Sequence, residues 1–347
     1  MNINEYRQLS AANNDLLEAS STSVHDIPEE ILTPPEPEPE PQERAARTVY
    51  DLPIDPSRKE VEETLDWHVY SKTLQTSDGE PVTTHVVNIN SANGEQLSVV
   101  GSGFQTIQNK TLMDLADAIR NDNSLKFGTA GFTGNGQKVF FQVLGECFDI
   151  GEGDTVTPYM LFANGHDGGL ACRLQPMTER MICQNQLGSI TRGKAYFTIR
   201  HVGNVKAKIE EAKALGRAFF KVTEDNRLAM QELRDTEVSQ ADLQKFFYEI
   251  YQRHYKSVNL NPKTEEEHNA AERARNAYHQ FNRRFMKEKH IAGTTAWNMA
   301  NAYTGWLQHE KGAGSNPQLT ARRRYESSII GTLERRSREA FKLALSS

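Results

Sequence analysis

The sequence predicts an α+β protein, in which a mostly antiparallel sheet domain is followed by a helical C-terminal region and preceded by a disordered acidic N-terminal tail. Three observations lead to this prediction. Short apolar runs separated by Gly-rich turns extend to Asn204, helical spacing of apolar residues dominates beyond it, and Pro alternates with Glu across residues 34–41. Turn-separated runs are typical of antiparallel strands, and strands segregated from helices are typical of α+β architecture.

The acidic leader comprises residues 1–45, which carry ten acidic and two basic residues, a net charge of −8. Its run Pro34–Pro41 cannot bury apolar area and favours an extended polyproline II conformation. We expect a disordered leader. It is either a solvated segment or an acidic arm that masks a basic surface of the same chain.

Charge and composition bound the class of protein. Residues 46–190 carry a net charge of −8, whereas residues 191–347 carry +10, so a basic surface that meets a polyanion is expected in the second half. The sequence contains no run of about 18 apolar residues, so no membrane span is predicted, and the N-terminus lacks the apolar stretch of a secretory signal. Three cysteines without metal-type spacing suggest reduced thiols, so we expect a cytoplasmic protein that holds no metal and no cofactor.

The predicted sheet domain covers residues 46–204. An Asn-Gly turn at Asn93-Gly94 joins two apolar runs, and a second one at Asn135-Gly136 joins two more, as expected for hairpins. Between these two hairpins, Leu112, Leu115 and Ile119 have the spacing of one face of a short helix. The further predicted strands are Tyr159–Asn164, Ala171–Met177 and Tyr196–His201.

The predicted helical region covers residues 205–347. Apolar spacing predicts one helix over Val205–Val222, and the pattern Ser239-Gln240-Ala241-Asp242 predicts a capped helix that extends to Tyr255. Further helices are predicted to begin at Thr264, to span Thr294–His309 and to span Thr320–Leu345.

Several motifs in this order resemble a family of phage/plasmid-related proteins of unknown function. The resemblance covers roughly residues 66–345 and implies an association with phages, plasmids or prophages without implying an activity. The residues that carry it are His166, Asp167 and Gly168 in a polar turn, Pro176, Cys183 and Asn185 in the next element, His201 and Asn204 in an Arg-His-Val-Gly-Asn loop, and Trp297, Asn301 and His309 near the C-terminus.

Basic and aromatic residues cluster in the same stretch. Cations that follow phosphates and rings that stack on bases suit single-stranded nucleic acid. We therefore expect a non-enzymatic DNA-binding protein that takes part in replication or recombination and, by analogy with phage annealing proteins, forms homo-oligomers. The predicted DNA contacts are Arg173, Arg180, Tyr196, Phe197, Arg200, Lys206 and Lys208.

Three alternatives remain open at this stage. Arg180, Arg200, His201 and Asn204 could brace hairpins by hydrogen bonds. The chain could be an interaction protein that blocks a host defence or replication factor through its acidic leader. It could also be a cysteine-dependent hydrolase in which Cys183 acts with a histidine, His166 or His201, and with Asp167.

Overall fold

The structure, a computed structural model, describes residues 56–119, 126–151, 153–181, 185–188, 197–215, 218–255, 258–259, 262–310 and 317–346. The predicted leader, Cys183 and Tyr196 lie outside the described residues. Two compact units are present. The helical unit contains Ser239–His279, and the sheet unit contains the described residues of Ala46–Val238 and Gln280–Ser347. The C-terminal helices belong to the sheet unit, because they pack on the sheet.

Strands and helices occupy largely separate parts of the chain, as predicted for an α+β protein. The strands are β1 (Val69–Gln75), β2 (Pro81–Asn90), β3 (Gln96–Gly101), β4 (Lys126–Thr133), β5 (Lys138–Leu144), β6 (Phe148–Asp149), β7 (Thr155–Gly165), β8 (Cys172–Arg180), β9 (Asn185–Gly188) and β10 (Phe197–Ile199). The helices are α1 (Arg58–Leu65), α2 (Asn109–Ile119), α3 (Val205–Leu215), α4 (Ala218–Asp235), α5 (Gln240–His254), α6 (Glu265–Ala292), α7 (Ala296–Gly305), α8 (Pro317–Ile330) and α9 (Thr332–Ala344), with a π-helical turn at Trp306–Glu310.

The strands form two antiparallel sheets, which confirms the predicted fold class. The smaller sheet has the order β1-β2-β3, and the larger one has the order β10-β8-β7-β5-β4. In the larger sheet, β6 pairs with β7 and β9 pairs with β8. The strand β8 is therefore bordered on one side by β7 and on the other by two short strands, β10 at its beginning and β9 at its end.

The larger sheet is covered on both faces. One face packs on α1, α2 and α3 through a cluster that includes Phe141, Phe162 and Leu174, and the rings of Phe141 and Phe162 stack 4.8 Å apart. The opposite face packs on α8 through Phe140, Tyr159 and residues such as Ile329. Burial of both faces explains why β5 and β7 have continuous apolar runs in the sequence instead of alternation.

One glycine joins the two sheets through close contact. Gly136, in the turn between β4 and β5, has a φ of +107°, a conformation that side-chain-bearing residues rarely adopt. A Cβ at this position would lie 2.5 Å from the Trp67 indole, so the turn can approach the smaller sheet only because this residue is Gly. The Asn-Gly signal in the sequence therefore reflects packing as well as turn geometry.

The helix predictions are confirmed at some boundaries and wrong at others. Ser239 caps α5 with Asp242 in a reciprocal capping box, as predicted. The predicted helix Thr320–Leu345 is wrong as one element, because Gly331 interrupts it between α8 and α9 with extended backbone dihedrals and a close approach to Ser327. Within the predicted helix Val205–Val222, α3 extends to Leu215 and α4 begins at Ala218, and residues 216–217 lie outside the described residues.

Candidate nucleic-acid interface

Three loops of the sheet unit meet around His201. They are residues 101–105, 166–170 and 200–204, called the three-loop surface below. His201 is buried, its ring stacks on Phe104 at 4.4 Å, and its Nδ1 lies 3.0 Å from the Gln105 carbonyl oxygen. The backbone amide of Gln105 donates to the His201 carbonyl over 2.7 Å, and its Nε2 donates to the Gly203 carbonyl over 2.8 Å. These contacts fix the loop that leads into α3.

His166 lies beneath this surface and is fully buried. Its Nε2 is 3.0 Å from Asn109 Oδ1, an arrangement that places the proton on Nε2 because an amide oxygen only accepts. Asn88 Nδ2 donates to the His166 carbonyl over 2.9 Å. Burial lowers the pKa of His166 to about 3, so the ring is neutral near pH 7 and serves to connect β7 with α2 and β2.

The first turn of α3 carries positive charge on the exposed side of the three-loop surface. Asn204 accepts a hydrogen bond from the Ala207 amide over 3.1 Å and so caps the helix. Arg200, Lys206 and Lys208 are exposed, and Lys208 forms a 2.6 Å ion pair with Glu211. Three of the seven predicted DNA contacts therefore lie together at a helix N-terminus.

Two other predicted contacts lie elsewhere. On β8, Leu174 packs into the core beneath α3, so the neighbouring residue Arg173 faces the opposite side of the sheet. On that side its positive charge acts on Glu334 of α9, whose pKa is raised by burial. Phe197 of β10 is half-buried and packs against the core, so little of its ring is available for a base.

The predicted phosphate contact at Arg180 is wrong, because this residue is buried in an ionic cluster. Only 2% of its surface is exposed, and its guanidinium binds Asp154 over 2.7–3.0 Å and also pairs with Glu288. The Trp297 indole donates to the same Asp154 over 2.8 Å, and Arg284 reaches Glu288 at 3.4 Å. For Arg180, the alternative that arginines brace the fold is the one that the structure supports.

Other motif residues surround this ionic cluster. Asn185 of β9 donates to the Asn301 carbonyl over 3.1 Å and lies 3.1 Å from His309 Nε2. Next to it, Gln308 accepts from the Gln186 amide over 2.9 Å and donates to the Gln186 carbonyl over 2.7 Å. These contacts join β9 to α7 and to the π-helical turn, so the motif residues in both halves of the sequence form one polar cluster, which is buried except at His309.

Pro176 is accommodated by the strand arrangement. It lies opposite Met160 in the middle of β8, where a proline is normally excluded because it has no amide hydrogen. On the other border of β8, β10 pairs with residues 172–174 and β9 with residues 177–180. On that border Pro176 lies between these two ladders, where none of the described strands pairs with it.

Of the residues in the predicted cysteine-hydrolase set, His166, Asp167 and His201 lie near the Cys172 end of β8, and Cys183 lies outside the described residues. Among the described residues, no group of three or more His, Cys, Asp or Glu side chains is arranged to hold a metal ion.

The sequence analysis missed Phe104, Gln105 and Asn109 as parts of the site. All three lie in the segment Phe104–Asn109. Their role could not be read from the pattern, because their partners His201 and His166 are 57 to 97 residues away in sequence.

Residues 96–336, more than half of the chain, match the family described as Domain of unknown function (DUF932). The chain therefore belongs to this family, and the match includes every site residue named above except Asn88. No curated protein and no solved structure shows significant similarity to the chain. None of the helices within the described ranges is long and apolar enough to cross a membrane.

Proposed function

We propose that this protein binds single-stranded DNA at the three-loop surface and the first turn of α3, without catalysing a reaction on it. The observation that carries the proposal is the charge of that turn. The positive end of a helix dipole favours acidic residues, and α1, α5, α6 and α9 carry acids there, whereas α2, α3, α4, α7 and α8 do not. The first turn of α3 differs from the other acid-free first turns in having two lysines, and Arg200 precedes it.

This arrangement is suited to an anion. Backbone amides at a helix N-terminus and nearby cations together bind phosphate oxygens, and phosphate contacts supply most of the sequence-independent affinity for nucleic acids. Gly168, Gly169 and Gly203 are exposed in the adjacent loops, so a strand can approach the backbone closely. The half-buried ring of Phe104, stacked on His201, provides a fixed aromatic edge beside the cations.

The setting of this activity is part of the proposal. The motif resemblance supports a role in a phage, plasmid or other mobile element, in the cytoplasm of a bacterial host. A replication or recombination step that handles single strands would use such a surface, and assembly of several copies would align it along a strand.

Charge reversal at the α3 surface tests the proposal. The double variant Arg200→Glu, Lys206→Glu is expected to bind a fluorescent oligothymidylate at least about tenfold more weakly than wild type at low salt, measured by fluorescence anisotropy. The control is the double variant Lys126→Glu, Lys221→Glu, which makes the same charge change at exposed lysines of β4 and α4. Absence of binding by the wild type, or equal losses in both variants, would contradict the proposed site.

A further inference from the structure

The helical unit presents a row of half-buried tyrosines, formed by Tyr248, Tyr251 and Tyr255 and called the tyrosine row below. Spacings of three and four residues place such side chains on one side of a helix. Tyr248 and Tyr251 belong to α5, and Tyr255 follows its last residue. The rings of Tyr251 and Tyr255 lie 4.6 Å apart, and the ring of Tyr248 stacks on Tyr278 of α6 at 5.8 Å.

Two exposed arginines of α6, Arg273 and Arg275, lie beside this row. Burial raises the pKa of Tyr248, and the positive charge of Arg275 opposes that shift. The pKa of Tyr251 is raised by burial in the same way and is opposed by Arg273. Arg275 lies one helical turn before Tyr278, whose ring stacks on Tyr248, so the face combines aromatic rings with positive charge.

Aromatic-lined faces of this kind bind polyproline II segments, because proline rings pack on aromatic rings and the extended conformation is already favoured in the free chain. Flanking arginines select acidic residues between the prolines. The row has a matching dimension. Tyr248 and Tyr255 are about 10 Å apart along the helix axis at 1.5 Å per residue, and residues three apart in polyproline II are separated by about 9 Å.

The chain itself contains such a segment. We propose that Pro34–Pro41 binds across the tyrosine row of the same chain in a polyproline II conformation. With three residues per turn, the alternation of Pro and Glu puts both residue types on every side of that helix. Prolines then contact the tyrosine rings, while Glu36, Glu38 and Glu40 supply carboxylates to Arg273 and Arg275. This inference is independent of the DNA-binding proposal.

Charge and tethering favour this occupant over a nucleic acid. The helical unit, Ser239–His279, contains six acidic and six basic residues, so it has no net positive charge to attract a polyanion at long range. Attraction between two arginines and glutamates close to them does not require a net positive charge on the unit. A tethered segment also has an effective concentration on the order of millimolar, so weak contacts suffice.

Site-specific photo-crosslinking of the full-length chain tests the inference. With p-benzoylphenylalanine in place of Tyr251, irradiation is expected to crosslink the segment that contains Pro34–Pro41, identified by mass spectrometry in the tryptic peptide 8–44. The matched control carries the same group in place of Tyr70, a half-buried tyrosine of β1, and is expected not to capture that peptide.

Charge exchange makes the test specific. Arg273→Glu with Arg275→Glu is expected to reduce the crosslink yield about fivefold or more, and so is the set Glu36→Lys, Glu38→Lys, Glu40→Lys; the combination of both sets is expected to restore it. Dependence of the yield on protein concentration would assign the contact to a second copy and overturn binding within the chain. Capture of an added oligothymidylate instead of the peptide, or capture of neither, would also overturn the proposal.

Discussion

Arg180 and Arg200 belong to two similar stretches of sequence that have opposite roles in the structure. Each is followed within five residues by an asparagine, Asn185 or Asn204. Arg180 is 2% exposed and held by two carboxylates, whereas Arg200 is exposed beside a capped helix. The difference shows that basic residue type and local motif do not distinguish a buried structural arginine from an exposed one. The distinction depends on the partners that distant parts of the chain supply.

The largest expected effect is at the buried cluster. Asp154→Ala removes one of the two carboxylate partners that the structure describes for Arg180, and it removes the acceptor of the Trp297 indole. Loss of one partner of a buried ion pair typically costs about 3–5 kcal/mol, so urea denaturation is expected to show a loss of that size. The control is Asp114→Ala, at an exposed pair with Lys110, where the cost is about 1 kcal/mol or less. Similar costs in both variants would show that burial does not distinguish them.

A somewhat smaller effect is expected at the amide contacts. Gln308→Ala removes both hydrogen bonds to the buried backbone of Gln186 and is expected to cost about 2–4 kcal/mol of unfolding free energy. Gln105→Ala removes a side-chain bond at the exposed three-loop surface and is expected to cost about 1 kcal/mol or less. The comparison fails if the exposed amide proves to be the more costly loss in urea denaturation.

The pH dependence of stability tests the burial of His166. Its pKa is about 3 in the folded protein and about 6.5 when unfolded, so below pH 6.5 the unfolded state binds a proton that the folded state does not. Stability is therefore lost as the pH falls, by about 1.4 kcal/mol per unit from this group, or roughly 2 kcal/mol at pH 5. Urea denaturation at pH 7 and pH 5 measures it. The variant His166→Gln is expected to lose less stability over this interval, and an unchanged pH dependence would contradict the assignment.

The smallest effect is expected at Cys183. If the chain acts by binding DNA and not as a cysteine hydrolase, Cys183→Ala should keep the affinity for oligothymidylate within about twofold and cost modest stability. Affinity and melting temperature, measured together, separate the two cases. A variant that melts like wild type and loses the chain's function would favour the hydrolase.

Local signals in the sequence predicted the parts of the fold that depend on neighbouring residues. The capping box at Ser239 needs only Asp242, and the turn at Asn93-Gly94 needs only a positive φ at Gly94. The break at Gly331 was missed although its glycine is visible, because the flanking apolar spacing continues through it. The α+β class followed from these local elements together.

The site was predicted less well, because its geometry depends on contacts that are distant in sequence. The partners of Arg180 are 26 and 108 residues away. The separation of Arg173 from Lys206 followed in principle from alternation along β8, since Leu174 faces the core under α3. The sequence pattern does not indicate what covers the other face of the sheet, which is the face on which α8 and α9 pack.

The salt dependence of DNA binding tests the central claim, which is that Arg200 contacts phosphate and the arginines packed in the sheet unit do not. The slope of log K against log salt for oligothymidylate is expected to be about −2 in wild type, because three cations release about 0.7 counterion each. Arg200→Gln is expected to reduce its magnitude by about 0.7, and Arg173→Gln to leave it unchanged. A slope altered by Arg173→Gln and unaffected by Arg200→Gln would contradict the account.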